Sequence, residues 1–245
     1  MIFRQDDILD RIQKVKDVGC PAFEFWGWRN KDLDAVRAKA DECGLPIAAS
    51  CVEADCALVD DASTAKWVQG ARESIDVAVK YNIPTLIVTT GQEIEEQPRI
   101  QQHDAIIKGL KGAAPYAEDK KITICLELLN SKVDHKDYQC DRTWWGVEVC
   151  KRVNSPRVKL LYDIYHQQIM EGNLIDNITR SIDHIGHFHV GDVPGRHEPG
   201  TGEINYANVF AAIDRLGYDA YLGLEYSPTG DPAEAAKAAL RAAGL

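Results

Sequence analysis

Four residues of metal-ligand type stand near the ends of four successive apolar runs: Glu127 in CLELLN, Asp163 in LLYDIYH, His189 in HFHVGD and Glu225 in GLEYSP. A carboxylate inside an apolar run carries a large desolvation cost unless it is paired or bound to a cation. One such acid is commonly a helix cap or a surface ion pair, but four metal-ligand groups on consecutive runs ask for a shared explanation. Three carboxylates and one imidazole, with room for two more oxygens, suit an octahedral Mn²⁺, Mg²⁺ or Co²⁺ better than tetrahedral zinc. Such an ion acts as a Lewis acid on a carbonyl and acidifies the neighbouring carbon-bound hydrogen. A carboxylate can then remove that proton, and a carboxylic acid can return it to the adjacent carbon or to the opposite face.

Further side chains stand close to these four in sequence. His187 and His189 are two apart on one run and so share a face, with His187 one layer deeper; it reads as a support or packing histidine. His166 follows Asp163 by three residues, placed either to touch substrate or to cap a helix. The Gly/Pro loop VGDVPGRHEPGTGEINYANVF (190–210) carries Arg196, His197 and Glu198, and Arg196 is either a bidentate grip on a carboxylate or sugar oxygen or a solvated charge. Glu24, Trp26 and Trp28 alternate along AFEFWGW, which makes Glu24 and Trp26 candidate substrate contacts, with plain core as the alternative for the tryptophans. Where His135 lies relative to the mouth stays open. Cys125 shares the face of Glu127, where the neighbouring carboxylate disfavours a thiolate, and it reads as packing.

The elements that must bring these residues together repeat along the chain. Seven runs rich in Val, Ile, Leu and aromatics (22–28, 46–52, 85–91, 122–129, 158–165, 184–192 and 220–227) predict strands. Between them lie stretches with helical period, such as Ile8, Ile12, Val15 and Val68, Ala71, Ile75, Ala78. Apolar strands alternating with amphipathic helices predict a parallel sheet covered by helices. An open doubly wound sheet usually carries a Gly-rich phosphate turn after an early strand, and none is present. Acids and imidazoles at strand ends instead match a (β/α)8 TIM barrel, which gathers those ends at one mouth. Only Met1–Phe3 is left for an eighth strand, so the first strand is expected to be abbreviated or missing. No linker or low-complexity tract interrupts residues 1–245, which predicts a single barrel domain.

Composition narrows the class. The 245 residues are 45% hydrophobic and 27% charged, an ordinary globular balance that excludes disorder, collagen and coiled coil. A chain of this length hides roughly three quarters of its unfolded surface and needs no disulfide or metal staple. A net charge of −10 repels phosphate backbones and anionic membranes, so neither nucleic acid nor membrane is an expected partner. The seven cysteines include no C-x-x-C pair and read as reduced, buried thiols, and no signal-peptide pattern opens the chain; a cytoplasmic location is expected. Nucleophile-elbow, Walker and dinucleotide motifs are missing, which removes support for acyl transfer, ATP hydrolysis and NAD chemistry.

The strand-end series, with YDIYHQQIMEGNL (162–174) and PGRHEPGTGEINY (194–206), resembles the hydroxypyruvate isomerase family within the xylose isomerase-like barrel superfamily, whose members include ketose 3-epimerases and endonuclease IV repair enzymes. The resemblance runs through nearly the whole chain from AFEFWGW onward. It implies a divalent cation held by Glu127, Asp163, His189 and Glu225, proton transfer by Glu127 and Glu225, and substrate contacts from His166 and Arg196. It also implies that His189, where hydroxypyruvate isomerases of the enterobacterial type carry Gln and ketose 3-epimerases carry His, bears on the product formed. The leading expectation is an isomerase of carbohydrate metabolism that interconverts a small hydroxy-ketone and hydroxy-aldehyde of the hydroxypyruvate and tartronate semialdehyde type. A ketose 3-epimerase of the tagatose, psicose or ribulose type is the alternative, and a non-catalytic sugar-binding barrel a remote one. The repair enzymes need more histidines on the early strands and a basic groove. A small oxo-acid or ketose substrate and homo-oligomeric assembly complete the expectations.

Overall fold

The computed structural model describes residues 2–245. Seven parallel strands follow one another in sequence order around the sheet: β1 (Phe23–Glu24), β2 (Ile47–Cys51), β3 (Thr85–Val88), β4 (Thr123–Glu127), β5 (Val158–Asp163), β6 (Ile185–Val190) and β7 (Leu222–Leu224). The helices α1 (Ile8–Asp17), α2 (Leu33–Cys43), α3 (Thr64–Lys80), α4 (Arg99–Lys120), α5 (Thr143–Val153), α6 (Ile164–Met170), α7 (Leu174–Ser181), α8 (Tyr206–Arg215) and α9 (Pro232–Ala242) connect and cover them. This is the expected TIM-barrel architecture in a nearly closed form. No described helix is long and apolar enough to cross a membrane. All seven cysteines are free thiols.

The period of two along the strands separates two environments. Ile124, Leu126, Leu160, Tyr162, Phe188 and Val190 point outward into the main core, where they meet Ile75, Leu110 and Val149 from the helices. Inward, Ala49, Ile87, Cys125 and Leu161 form a small apolar layer inside the barrel. One step further along, the same inward rows carry Glu127 and Asp163. Asp163 is paired in register with His189, and His189 with Gly223. The apolar floor therefore sits directly beneath the polar residues of the mouth.

The strand ahead of the first helix is missing among the described residues, as expected, and one run gives a shorter strand than expected. Ile2 and Phe3 lie in a turn, with Asp6 N–H donating to Phe3 O at 3.2 Å, and Phe3 packs on Val18 and Ala236; no first strand forms there, and Met1 lies outside the described residues. The run 22–28 keeps only Phe23–Glu24 as strand, because Gly27 turns into the left-handed region (φ 58°) and the Glu53 carboxylate accepts from the Trp28 and Arg29 N–H groups at 2.7 and 2.6 Å. Between β7 and β1, which do not pair, lies a cavity of about 1020 Å³ lined by Ile12, Phe23, Leu224 and Leu240 among others, with Glu24 and Glu225 at its polar side.

Candidate active site and metal centre

Each of the four strand-end residues is buried, and one donor atom from each lies within 4.8 Å of the others. Glu127 and Asp163 are the final residues of β4 and β5, His189 sits in β6, and Glu225 follows β7 directly. Nδ1 of His189 stands 2.8 Å from Glu225 Oε2 and 3.6 Å from Glu127 Oε1. Asp163 has a divided role: Oδ1 caps α6 by accepting from the His166 N–H at 3.1 Å, while Oδ2 faces Arg196 Nη2 at 2.9 Å. The same Nη2 donates to Glu225 Oε2 at 2.5 Å, so the guanidinium bridges two of the carboxylates.

This set fits a divalent cation. Three buried carboxylates converge on one imidazole, and neither nitrogen of His189 has an aligned hydrogen-bond partner although the ring is almost fully buried. Orphaned donors and acceptors are rare in protein interiors and point to a missing partner. Hard oxygen donors with one imidazole suit a divalent cation. Glu127, Asp163, His189 and Glu225 would hold it.

The electrostatics follow from the crowding. Burial, and then the repulsion of Glu225 and Asp163, push the Glu127 carboxyl up, with His189 working against them. Burial also opposes ionisation of Asp163, but His166 and Arg196 outweigh it and hold this carboxyl below its usual value. For His189 burial disfavours the imidazolium, and Glu225 and Glu24 more than compensate, so its pKa lies well above the usual histidine value. Burial pushes His166 down to about 4, which keeps it neutral at pH 7.

His166 and Arg196 both reach the cluster. Asn130 Nδ2 donates to His166 Nδ1 at 2.6 Å, which leaves Nε2 buried without a hydrogen-bond partner, 3.5 Å from Asp163 Oδ2. Arg196 has a left-handed backbone (φ 57°) and its guanidinium lies over the Tyr165 ring at 5.1 Å. Its loop is built around Asp192, whose carboxylate accepts from the N–H groups of Val193, Gly200, Gly202 and Ile204 at 2.9 to 3.1 Å. A Cβ at Gly202 would come within 2.0 Å of Val193 O, so this close turn admits only glycine.

The other candidates divide between the cluster's surroundings and the rim. Trp26 is 52% exposed on the rim of the seam cavity, while Trp28 packs against the core and donates to Ser74 Oγ at 3.3 Å. Glu24 points inward to His187 and His189, and His135 stacks edge-on against His166 with centroids 5.3 Å apart. His197 and Glu198 tie their loop to Ser227 and Thr229 and do not face the cluster. Asn130, Asp134 and Tyr165 were not anticipated; Asn130 binds Asp134 Oδ2 at 2.7 Å and Tyr165 donates to the same oxygen at 2.8 Å. The available signal was position: Asn130 follows a ligand-bearing strand and Tyr165 directly precedes His166.

Residues 12–243 match the family described as "Xylose isomerase-like TIM barrel". The hydroxypyruvate isomerase of Escherichia coli (strain K12) is 36% identical over 248 residues, covering 93% of this chain and 91% of the relative. The 2-oxo-tetronate isomerase of Cupriavidus necator is 31% identical over 245 residues, covering 93% of this chain and 90% of the relative. Among solved structures, a family 2 AP endonuclease from Brucella melitensis aligns with TM-score 0.87 and 26% identity over 95% of this chain and 92% of its own. A D-psicose 3-epimerase with D-tagatose from Clostridium cellulolyticum H10 aligns with TM-score 0.84 over 98% of this chain and 93% of its own, and its 19% identity shows a shared fold alone.

Proposed function

Since the chain belongs to the xylose isomerase-like TIM barrel family and is an enzyme of the isomerase or epimerase type, we propose that it interconverts a small hydroxy-ketone and hydroxy-aldehyde of the hydroxypyruvate and tartronate semialdehyde type. The observation that carries this reading is the pair Glu127 and Glu225, two buried carboxylates brought from the end of β4 and from just past β7 to the same nitrogen, Nδ1, of His189. When bound, a divalent cation at this cluster supplies Lewis acidity toward a carbonyl oxygen. One glutamate takes the proton from the substrate carbon to give an enediolate, the hydroxyl proton moves across to the former carbonyl oxygen, and the other glutamate, protonated, delivers a proton to the neighbouring carbon. Burial lets Glu127 hold a proton more readily than an exposed glutamate does. His166, neutral and with a free Nε2, is placed to meet a substrate oxygen. Arg196 offers a planar pair of donors to a substrate carboxylate, which a neutral ketose cannot match in charge.

The test is a panel of hydroxypyruvate, ketopentoses and ketohexoses, assayed after chelation and again with Mn²⁺, Mg²⁺ or Co²⁺ restored. Hydroxypyruvate should be the best substrate, chelation should abolish turnover, and one of the ions should return it. Glu127→Gln and Glu225→Gln should each lower turnover by about 10² to 10⁴. Solvent deuterium should enter the product carbon, and Arg196→Ala should raise KM for hydroxypyruvate more than for neutral ketoses. Activity indifferent to chelator, or full retention of the substrate hydrogen, would sink this proposal. A ketohexose turned over faster than hydroxypyruvate would assign the same glutamates to epimerisation, the outcome His189 favours.

A further inference from the structure

Glu24 ends β1, on the far side of the seam from β7, yet its carboxylate reaches the two inward histidines of β6. Oε2 lies 2.8 Å from His187 Nε2 in a hydrogen bond, and Oε1 lies 2.9 Å from His189 Nε2, off the axis of the ring N–H. The approach passes over β7 at Gly223, where a Cβ would fall 2.2 Å from Glu24 Oε1 and 2.8 Å from His189 Cδ2. Any larger residue there would close this path. His189 is thus held between two acidic groups of different reach: Nε2 faces Glu24, and Nδ1 faces Glu225 and Glu127.

A neutral imidazole has one N–H and one lone pair, and whichever nitrogen donates leaves the other free to ligate. Carboxylates placed behind a ligating histidine fix both its tautomer and its ring plane. We propose that Glu24 is a positioning residue for the candidate metal centre: its Oε1 accepts from the His189 Nε2–H, which keeps the hydrogen on Nε2 and turns the Nδ1 lone pair toward the cation, and His187 holds the second oxygen of Glu24 in place. This rests on the metal reading of the Glu127, Asp163, His189 and Glu225 cluster. Neither His187 nor Glu24 is assigned to the cation.

The test uses the full chain and Mn²⁺ alone, with no substrate. Calorimetric titration of the chelator-treated protein should show one Mn²⁺ per chain, with affinity falling about 10- to 100-fold in Glu24→Gln, the usual loss when a partner of this kind is removed. Glu24→Asp, which keeps the carboxylate, should recover part of the loss. Gly223→Ala, which displaces the carboxylate without removing a polar group, should weaken binding in the same direction. In the Mg²⁺-loaded wild-type protein, ring ¹⁵N shifts should place the His189 hydrogen on Nε2, a signature that a purely structural role for Glu24 would not set. Unchanged Mn²⁺ affinity in Glu24→Gln, or a hydrogen on Nδ1, overturns the proposal while leaving the metal reading intact. Two Mn²⁺ per chain, one of them lost in Glu24→Gln, overturns it by making Glu24 a ligand. Absence of Mn²⁺ binding in the wild-type chain removes the metal reading and this proposal with it.

Discussion

His103 in α4 is a buried titratable side chain that the candidate site does not use. Its ring lies on Trp145 with centroids 3.7 Å apart, and neither nitrogen has a hydrogen-bond partner. Burial, reinforced by Arg152 and Arg99, lowers its pKa from 6.5 to about 4. Between those values the unfolded chain binds a proton that the folded chain refuses, so this histidine's contribution to stability is present above pH 6.5 and is lost as pH falls toward 4. His103→Phe keeps a ring against Trp145 and removes the titration. Thermal unfolding midpoints measured from pH 7 to pH 4 should therefore fall less steeply in the variant; equal slopes would show that His103 is not charged on unfolding. At this scale the four residues of the cluster were readable because acids inside apolar runs are conspicuous. The contact of Glu24 with His187 and His189 was not, since it depends on which strands face each other across the barrel. Asn130 was equally hidden, because a lone Asn after a strand is ordinarily a turn residue.

The packing of α3 on the loop after β2 depends on one missing methyl group. A Cβ at Gly70 would stand 2.8 Å from Ala54 Cα and 2.9 Å from Ala54 Cβ, a backbone contact that cannot yield by rotating a side chain. Ala ordinarily exceeds Gly in a helix interior by about 1 kcal/mol. Overpacking costs about 1 to 3 kcal/mol, so the packing loss should win. Gly70→Ala is expected to lower the urea midpoint, whereas a rise would mean that the loop moves away freely. Neighbouring Glu53 holds the Trp28 and Arg29 N–H groups, which links this packing to the bend that ends β1. Strand and helix order was readable because every apolar run falls between helices of clear period. The length of β1 was not, because the residue that stops it, Glu53, lies 25 positions from Trp28 in the chain.

At the scale of the whole molecule, seven strand and helix units were readable, and the stub expected ahead of them is a turn among the described residues. The sheet consequently runs from β1 to β7 with an apolar cavity between its ends. A closed ring must break a ladder in its middle before it can open, but a sheet with two ends can peel from either one. Cooperative units with fewer partners open at lower free energy than the centre of a sheet. Amide hydrogen exchange should thus be fastest in Phe23–Glu24 and Leu222–Leu224 and slowest in β4 and β5, and uniform protection around the barrel would contradict this. Peeling would not treat the cluster evenly. Glu127 and Asp163 ride on the innermost ladder, while Glu225 and Glu24 flank the ends, so the site would come apart one side at a time. In mild denaturant the cluster, and with it the proposed hold on a cation, would be lost while most of the helices were still in place.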